Sequence, residues 1–170
     1  MKILDATCGK KEMWFQKNHP LVTFMDKRYG KYFYQYPNSP KKEIYDIKPD
    51  VVSEWKDAPF PDDYFDLIIF DPPHIIQNSE KGSLPIKYTV LKPGTWNNIL
   101  KNGIEKLFKI LKPEGIFIFK WNECSKDVED VIKLCPYKPL FGTRTGLNNK
   151  NIWLVFLKYD VNMKLTELHT

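Results

Sequence analysis

The stretch Leu67-Ile-Ile-Phe-Asp-Pro-Pro-His74 sets a carboxylate, two prolines and an imidazole directly behind an apolar run. Proline has no N–H and a fixed φ, so the ladder of a strand stops there. Asp71 is thereby left at the carboxyl end of a strand. The turn offers two acceptors, the Asp71 carboxylate and the Pro72 carbonyl, and few donors. Such a turn suits a substrate amine rather than a carboxylate. His74 is able to stack on a base and titrates near neutrality; the competing reading is a loop residue without a role. For Asp71 the competing reading is a strand-end carboxylate.

A second cluster lies at the start of the chain, in Leu4-Asp-Ala-Thr-Cys-Gly9. A tight turn at Gly9, between a strand and a predicted short helix, exposes backbone N–H groups to a ligand. About twenty residues on, Asp26 closes Val22-Thr-Phe-Met-Asp26, the usual place for an acid that accepts both hydroxyls of a ribose. Taken singly, Asp5 and Asp26 read equally well as strand-end caps and Gly9 as a turn glycine. Their order and spacing favour a ligand. Residues 75–94 show no clear periodicity and bring Lys81, Lys87, Tyr88 and Lys92 within a loop that could meet phosphates or a base. Lys120 and Trp121 end another apolar run, and Arg144 falls in the last predicted hairpin. Solvated surface for the lysines, and core packing for Trp121, are the alternatives. No His or Cys spacing suggests a metal.

These residues need a frame. Short, near-continuous apolar runs recur at 3–4, 22–25, 51–52, 67–70, 116–119 and 152–157, the pattern of strands covered on both faces of a parallel sheet. Apolar residues at three- and four-residue spacing predict a helix over 95–111 with Thr95 as cap, and a shorter one over 125–135 with Ser125 as cap. Lys112-Pro-Glu-Gly115 predicts a turn between helix and strand. Residues 139–158 predict an antiparallel hairpin with an Asn-rich turn. Pro37, Pro40 and Pro49 argue against a helix in 29–49, which reads as an irregular, tyrosine-rich excursion. The expected architecture is an α/β three-layer sandwich in one domain, 1–160, with a C-terminal tail, 161–170.

The composition bounds the rest. The 170 residues have a formal charge of +5 and 15% aromatics, which permits a nucleic-acid partner without demonstrating one. Three scattered cysteines point to a reducing cytoplasm and no disulfide framework. No signal peptide or membrane span is expected, and either a monomer or a homodimer is compatible.

The series of motifs resembles the class I S-adenosylmethionine-dependent methyltransferases over residues 2–158. Within them it is similar to amino-methyltransferases of the (D/N)PP(Y/F/W) type, and to small phage- and prophage-borne methyltransferases carrying Asp-Pro-Pro-His. The resemblance implies a Rossmann-like, mainly parallel seven-stranded sheet with an antiparallel last hairpin strand. It implies that Asp5, Ala6, Thr7, Cys8 and Gly9 hold the methionine end of the cofactor, and Asp26 with Lys27 the ribose. Glu54 would contact the adenine amino group, with Trp55 beside that ring. Asp71, also at the cofactor, would form the catalytic turn with Pro72, Pro73 and His74. His74, Lys87, Tyr88, Lys120, Trp121 and Arg144 would meet the target.

The expected reaction is methyl transfer to an exocyclic amine, best matched by the 6-amino group of adenine in DNA or RNA. A guanine amine, a protein amide or a small-molecule amine remain alternative acceptors. So does a nucleic-acid-binding or regulatory subunit that has lost catalysis, since Lys11 stands where the family has the second glycine of GxG. The loop after the fourth strand holds no cysteine, against ring-carbon methylation through a thiolate. Nothing is long enough for a target-recognition domain. That points to low specificity, to single-stranded or structured RNA as substrate, or to a reading surface supplied by a dimer partner.

Overall fold

A computed structural model describes residues 1–36, 38–79 and 81–159 of the chain; the predicted tail, 161–170, lies outside them. The strands are β1 (Ile3–Asp5), β2 (Val22–Asp26), β3 (Gly30–Gln35), β4 (Lys42–Ile47), β5 (Val51–Val52), β6 (Phe65–Phe70), β7 (Leu111–Asn122), β8 (Phe141–Thr145) and β9 (Asn151–Leu157). Seven of them form one sheet in the order β5-β2-β1-β6-β7-β9-β8. Pairing is parallel from β5 through β7, whereas β9 runs antiparallel to both β7 and β8. The sheet is the Rossmann-like α/β arrangement expected, with the closing hairpin at its edge. Strand order reverses at β1, between β2 on one side and β6 on the other. That is the point where open α/β sheets leave a crevice beyond the strand ends.

Alternation along β7 explains the layers. Phe117, Phe119 and Trp121 point to one face, where they are fully buried against Leu100, Ile104, Leu107 and Phe108 of helix α2 (Trp96–Ile110) and near Val128 and Val131 of helix α3 (Val128–Ile132). Each such side chain contributes about 1.5–3 kcal/mol on removal from water. Ile3, Val22, Phe24 and Ile69 pack on the opposite face with Trp14, whose ring meets Phe24 edge-on at 5.3 Å. A third, short helix, α1 (Ser83–Tyr88), sits in the long loop after β6.

Several local expectations change. Residues 29–49 are not irregular: β3 and β4 pair as a regular antiparallel hairpin from Gly30↔Ile47 to Gln35↔Lys42. Pro40 lies in its turn and Pro49 beyond its end, so neither interrupts the ladder. The short helix expected after Gly9 does not form; 6–21 is a series of turns. Thr95 precedes α2 but makes no side-chain cap bond. Ser125 does not cap α3 either. Its hydroxyl instead accepts from the Ile76 N–H at 3.1 Å, and Glu123 Oε1 receives the Val128 N–H at 3.0 Å. Lys112-Pro-Glu-Gly115 lies within β7 as a bulge, because Phe65 pairs with Leu111 but Leu67 already with Ile116. No helix among the described residues is long and apolar enough to cross a membrane.

Candidate active site

The carboxyl ends of β1, β2, β6 and β7 converge on a cavity of about 350 Å³, within the range of small-molecule sites. Three cross-links hold its floor. Ala6 N–H donates to Ile69 O and Cys8 N–H to Met25 O, each at 2.9 Å. The Asp71 N–H donates to Thr7 Oγ1 at 3.0 Å. The glycine turn and the Asp-Pro-Pro-His turn, far apart in sequence, are therefore one rigid unit.

The turn itself has a left-handed backbone at two places, Gly9 (φ 51°) and Lys11 (φ 58°). Lys11 thus follows the path that glycine usually takes, at a cost of roughly 1–2 kcal/mol for a residue with a Cβ. Its N–H donates to Cys8 O at 2.7 Å and its ammonium lies 3.9 Å from the centre of the Phe24 ring, which offsets part of that strain.

Asp26 is buried, and its oxygens are already bonded. Oδ2 accepts from the Gly9 N–H at 2.9 Å, and the Arg28 guanidinium spans both oxygens at 3.1 and 3.2 Å. Arg28 also donates to the carbonyls of Ile86 (3.3 Å) and Lys87 (2.9 Å). One side chain therefore ties α1 to the acid at the end of β2. Lys87 adds a second tie through Glu12 at 3.4 Å.

Asp5 lies beneath the turn, fully buried, and is not part of the cavity wall. Trp14 Nε1 donates to Oδ2 at 2.7 Å and the Thr7 N–H to Oδ1 at 3.2 Å. Burial pushes its carboxyl up to about 7. The Trp14 and Thr7 hydrogen bonds oppose the shift, and the charges of Asp71 and Asp26 add to it.

At the other end of the cavity, Lys120 Nζ lies 2.5 Å from Asp71 Oδ2. The pair spans the β6 and β7 strand ends, where Phe70 and Phe119 are in register. His74 sits between Tyr88 (ring centres 6.1 Å) and the edge-on Trp121 (6.3 Å). Burial lowers its pKa and so favours the uncharged ring, with Asp71's charge acting in the opposite sense.

Of the residues singled out from sequence, Ala6, Thr7, Cys8, Gly9, Asp26, Lys27, Trp55, Asp71, Pro72, Pro73, His74, Lys87, Tyr88 and Lys120 line this cavity. Asp5, Glu54, Lys81, Lys92, Trp121 and Arg144 do not. Glu54 pairs with Lys27 (3.7 Å) and Lys56 (3.9 Å). Trp121 is fully buried and donates from Nε1 to Lys126 O at 2.9 Å. Arg144 pairs with Glu123 at 2.5 Å. Cys8 is buried and its thiol is pushed up, out of nucleophile range, first by burial and then by Asp5 and Asp26.

Arg28, Tyr45, Asn122 and Asn151 line the cavity without having been anticipated. Asn122 lies two positions beyond Lys120, on the same face of β7, and donates to Asn151 Oδ1 at 2.7 Å. That two-residue period was legible; Tyr45 was not, because the hairpin that carries it was unforeseen.

The sequence matches no protein-family profile and no curated protein. Among solved structures, the chain is similar to 1,6-didemethyltoxoflavin-N1-methyltransferase from Burkholderia thailandensis, solved with 1,6-didemethyltoxoflavin and S-adenosylhomocysteine. There the identity is 13%, the TM-score 0.53, and the match covers 93% of this chain and 71% of that one. It is also similar to a SAM-dependent methyltransferase from Methanosarcina mazei (10%, TM-score 0.52, 93% and 92% covered). A third is the N-methyltransferase NodS from Bradyrhizobium japonicum (12%, TM-score 0.55, 94% and 86% covered). The shared feature is the fold, that of class I SAM-dependent methyltransferases.

Proposed function

We propose that this chain binds S-adenosylmethionine and methylates an exocyclic amine of a nucleic-acid base, the 6-amino group of adenine being the best match. The observation that carries the reading is the rigid pairing of the Asp71 and Pro72 acceptors with the glycine turn through Thr7. The residues fit the cofactor. The cavity is of suitable size, the Asp26 carboxylate is the natural acceptor for ribose hydroxyls in place of Arg28, and the Asp71 carboxylate in the cavity wall favours a cationic group. When bound, S-adenosylmethionine supplies an electrophilic methyl group on a positively charged sulfur.

The chain's own task is to present the nucleophile. An exocyclic amine has its lone pair delocalised into the ring and attacks poorly. Asp71 Oδ1, left free by the Lys120 pairing at Oδ2, and the Pro72 carbonyl accept its two hydrogens and aim the nitrogen. Fixing reacting atoms about 3 Å apart removes a large entropic part of the barrier. His74, whose burial favours the uncharged form, offers a ring face to the base. Two of the similar structures are N-methyltransferases by name, in keeping with nitrogen as acceptor. The left-handed backbone of Lys11 weakens the inactive reading, because it is a conformation that a glycine at that position readily adopts.

The test is incorporation of labelled methyl into DNA and RNA by the purified protein, followed by mass spectrometry of the nucleosides. Methylated amine is expected, with Asp71→Ala abolishing it. Incorporation that survives that change overturns the mechanism.

A further inference from the structure

We propose that the outer face of the β3–β4 hairpin, with the lysine-lined groove at its base, binds single-stranded nucleic acid and leads it to the active site. The inference rests on the reading above, in that it names the form of the substrate.

Charge is the first observation. Residues 1–48 carry ten Lys and Arg against five Asp and Glu, whereas 49–170 carry sixteen of each. The whole excess of +5 therefore lies in the segment that builds the glycine turn and the hairpin. Two of its five acids, Asp5 and Asp26, are buried, so the surface there is more basic still.

Geometry is the second. Antiparallel register places Phe33 opposite Ile44, with Lys31, Gln35 and Lys42 on the same outward face. Phe33 and Ile44 remain 50% and 52% exposed, although Tyr45 and Ile47 on the inward face are almost fully buried. A ribbon serving only to cover the sheet would be polar on its outer side. Lys42 Nζ lies 4.8 Å from the Phe33 ring centre, so the aromatic platform carries a cation at its edge.

The groove at the hairpin's base is the third. It encloses about 200 Å³ and is lined by Lys10, Lys11, Lys17, Asn18, Asp46 and Lys48 together with Gly9. Gly9 and Lys10 also line the active-site cavity, so the two are contiguous. Among the described residues no carboxylate pairs with Lys11, Lys17 or Lys31. Asp46, the acid in this groove, is neutralised by Lys48 at 2.8 Å.

Basic side chains interleaved with an exposed aromatic are the means by which proteins follow an unpaired strand. Lysines track phosphates, and rings stack on bases that a duplex would hide. The stacking partner decides for a single strand over a duplex.

Fluorescence anisotropy tests this on the full chain, with labelled 12-nucleotide DNA and RNA single strands and the matching DNA duplex, all without cofactor. Wild type is expected to bind single strands more tightly than duplex. Phe33→Ala is expected to weaken this at least fivefold, and Lys31→Glu/Lys42→Glu at least tenfold with a shallower salt dependence. Thermal melts confirm that the variants stay folded, and Phe33→Leu, which keeps bulk but loses the ring, should behave as Phe33→Ala does. Unchanged affinity in all three folded variants, or a preference for duplex, overturns the proposal. Because binding is read without methyl transfer, failure of the transferase reading leaves this result intact. Normal methylation by hairpin variants that bind as wild type sinks only the present inference.

Discussion

Lys120 Nζ sits 2.5 Å from Asp71 Oδ2, a contact between neighbouring strand ends that holds one oxygen of the carboxylate and leaves the other to the cavity. Both side chains are largely shielded, at 26% and 20% exposure, so the pair is screened less than a surface bridge. Its consequence is orientational. Lys120→Met is expected to lower kcat for methyl transfer on the order of 10- to 100-fold, since small misplacements of a positioning group cost that much. KM for the nucleic acid should change little, and Lys120→Arg should recover part of the rate. Steady-state kinetics separates these outcomes; a KM effect alone would make Lys120 a phosphate contact instead.

Lys11 gives a test of sign. At ordinary backbone angles alanine is more stable than glycine, by roughly 0.5–1 kcal/mol within regular elements. At φ 58° the order reverses, because only glycine avoids the Cβ clash. Lys11→Gly should therefore be more stable than Lys11→Ala by about 1 kcal/mol in urea denaturation. Both lose the contact with Phe24, so that term cancels. Alanine proving the more stable would show that the turn takes another path.

Gly103 reports on the cavity wall from behind. A methyl group there would lie 1.9 Å from Trp55 Cδ1, and Trp55 lines the cavity. Gly103→Ala is expected to destabilise by about 1–3 kcal/mol through overpacking and to shift Trp55 fluorescence. Affinity for S-adenosylmethionine, read by calorimetry, should fall with it. An unaltered tryptophan spectrum would mean that α2 moves instead.

Asp5 sets a pH dependence whose sign can be worked out. Its carboxyl is raised by burial from 3.8 to about 7. Between these values the folded chain retains a proton that the unfolded chain has released. The associated stability is complete below about pH 4 and is lost as pH rises through about 7. His74, lowered by burial, acts oppositely, since the unfolded ring takes up a proton as pH falls. Comparison with Asp5→Asn isolates the first effect: the variant loses one acceptor, and its stability should fall less steeply from pH 5 to 7. Parallel wild-type and variant curves would show that Asp5 is ionised in the folded state.

Legibility followed the range of the forces involved. Asp71-Pro-Pro-His74 announced a strand end because proline's missing N–H is a local fact, and the β6 boundary fell there. The apolar runs specified six sheet strands because fully covered strands need near-continuous apolar residues. The period of α2 was equally plain. What failed depended on distant partners. Trp121 was readable as a stacking ring or a core ring, and only α2 and α3 closing over β7 decided for the core. Arg144 was assigned to the target, yet Glu123, in the turn just after β7, claims it. The tyrosine-rich segment lacked helical periodicity and was left without form, although its alternation of buried and exposed residues is that of a hairpin.

By itself, then, the amino-acid order determined the strand ends, the turn chemistry and the spacing of acids along the chain, all consequences of backbone and side-chain properties that act over a few residues. Only the folded sheet decided which acids face the cavity, that Asp5 is buried beneath it, and that Arg28 and Lys120 already hold the other two. Burial and ion pairing are set by neighbours brought together from dozens of positions away, and no local pattern carries that information.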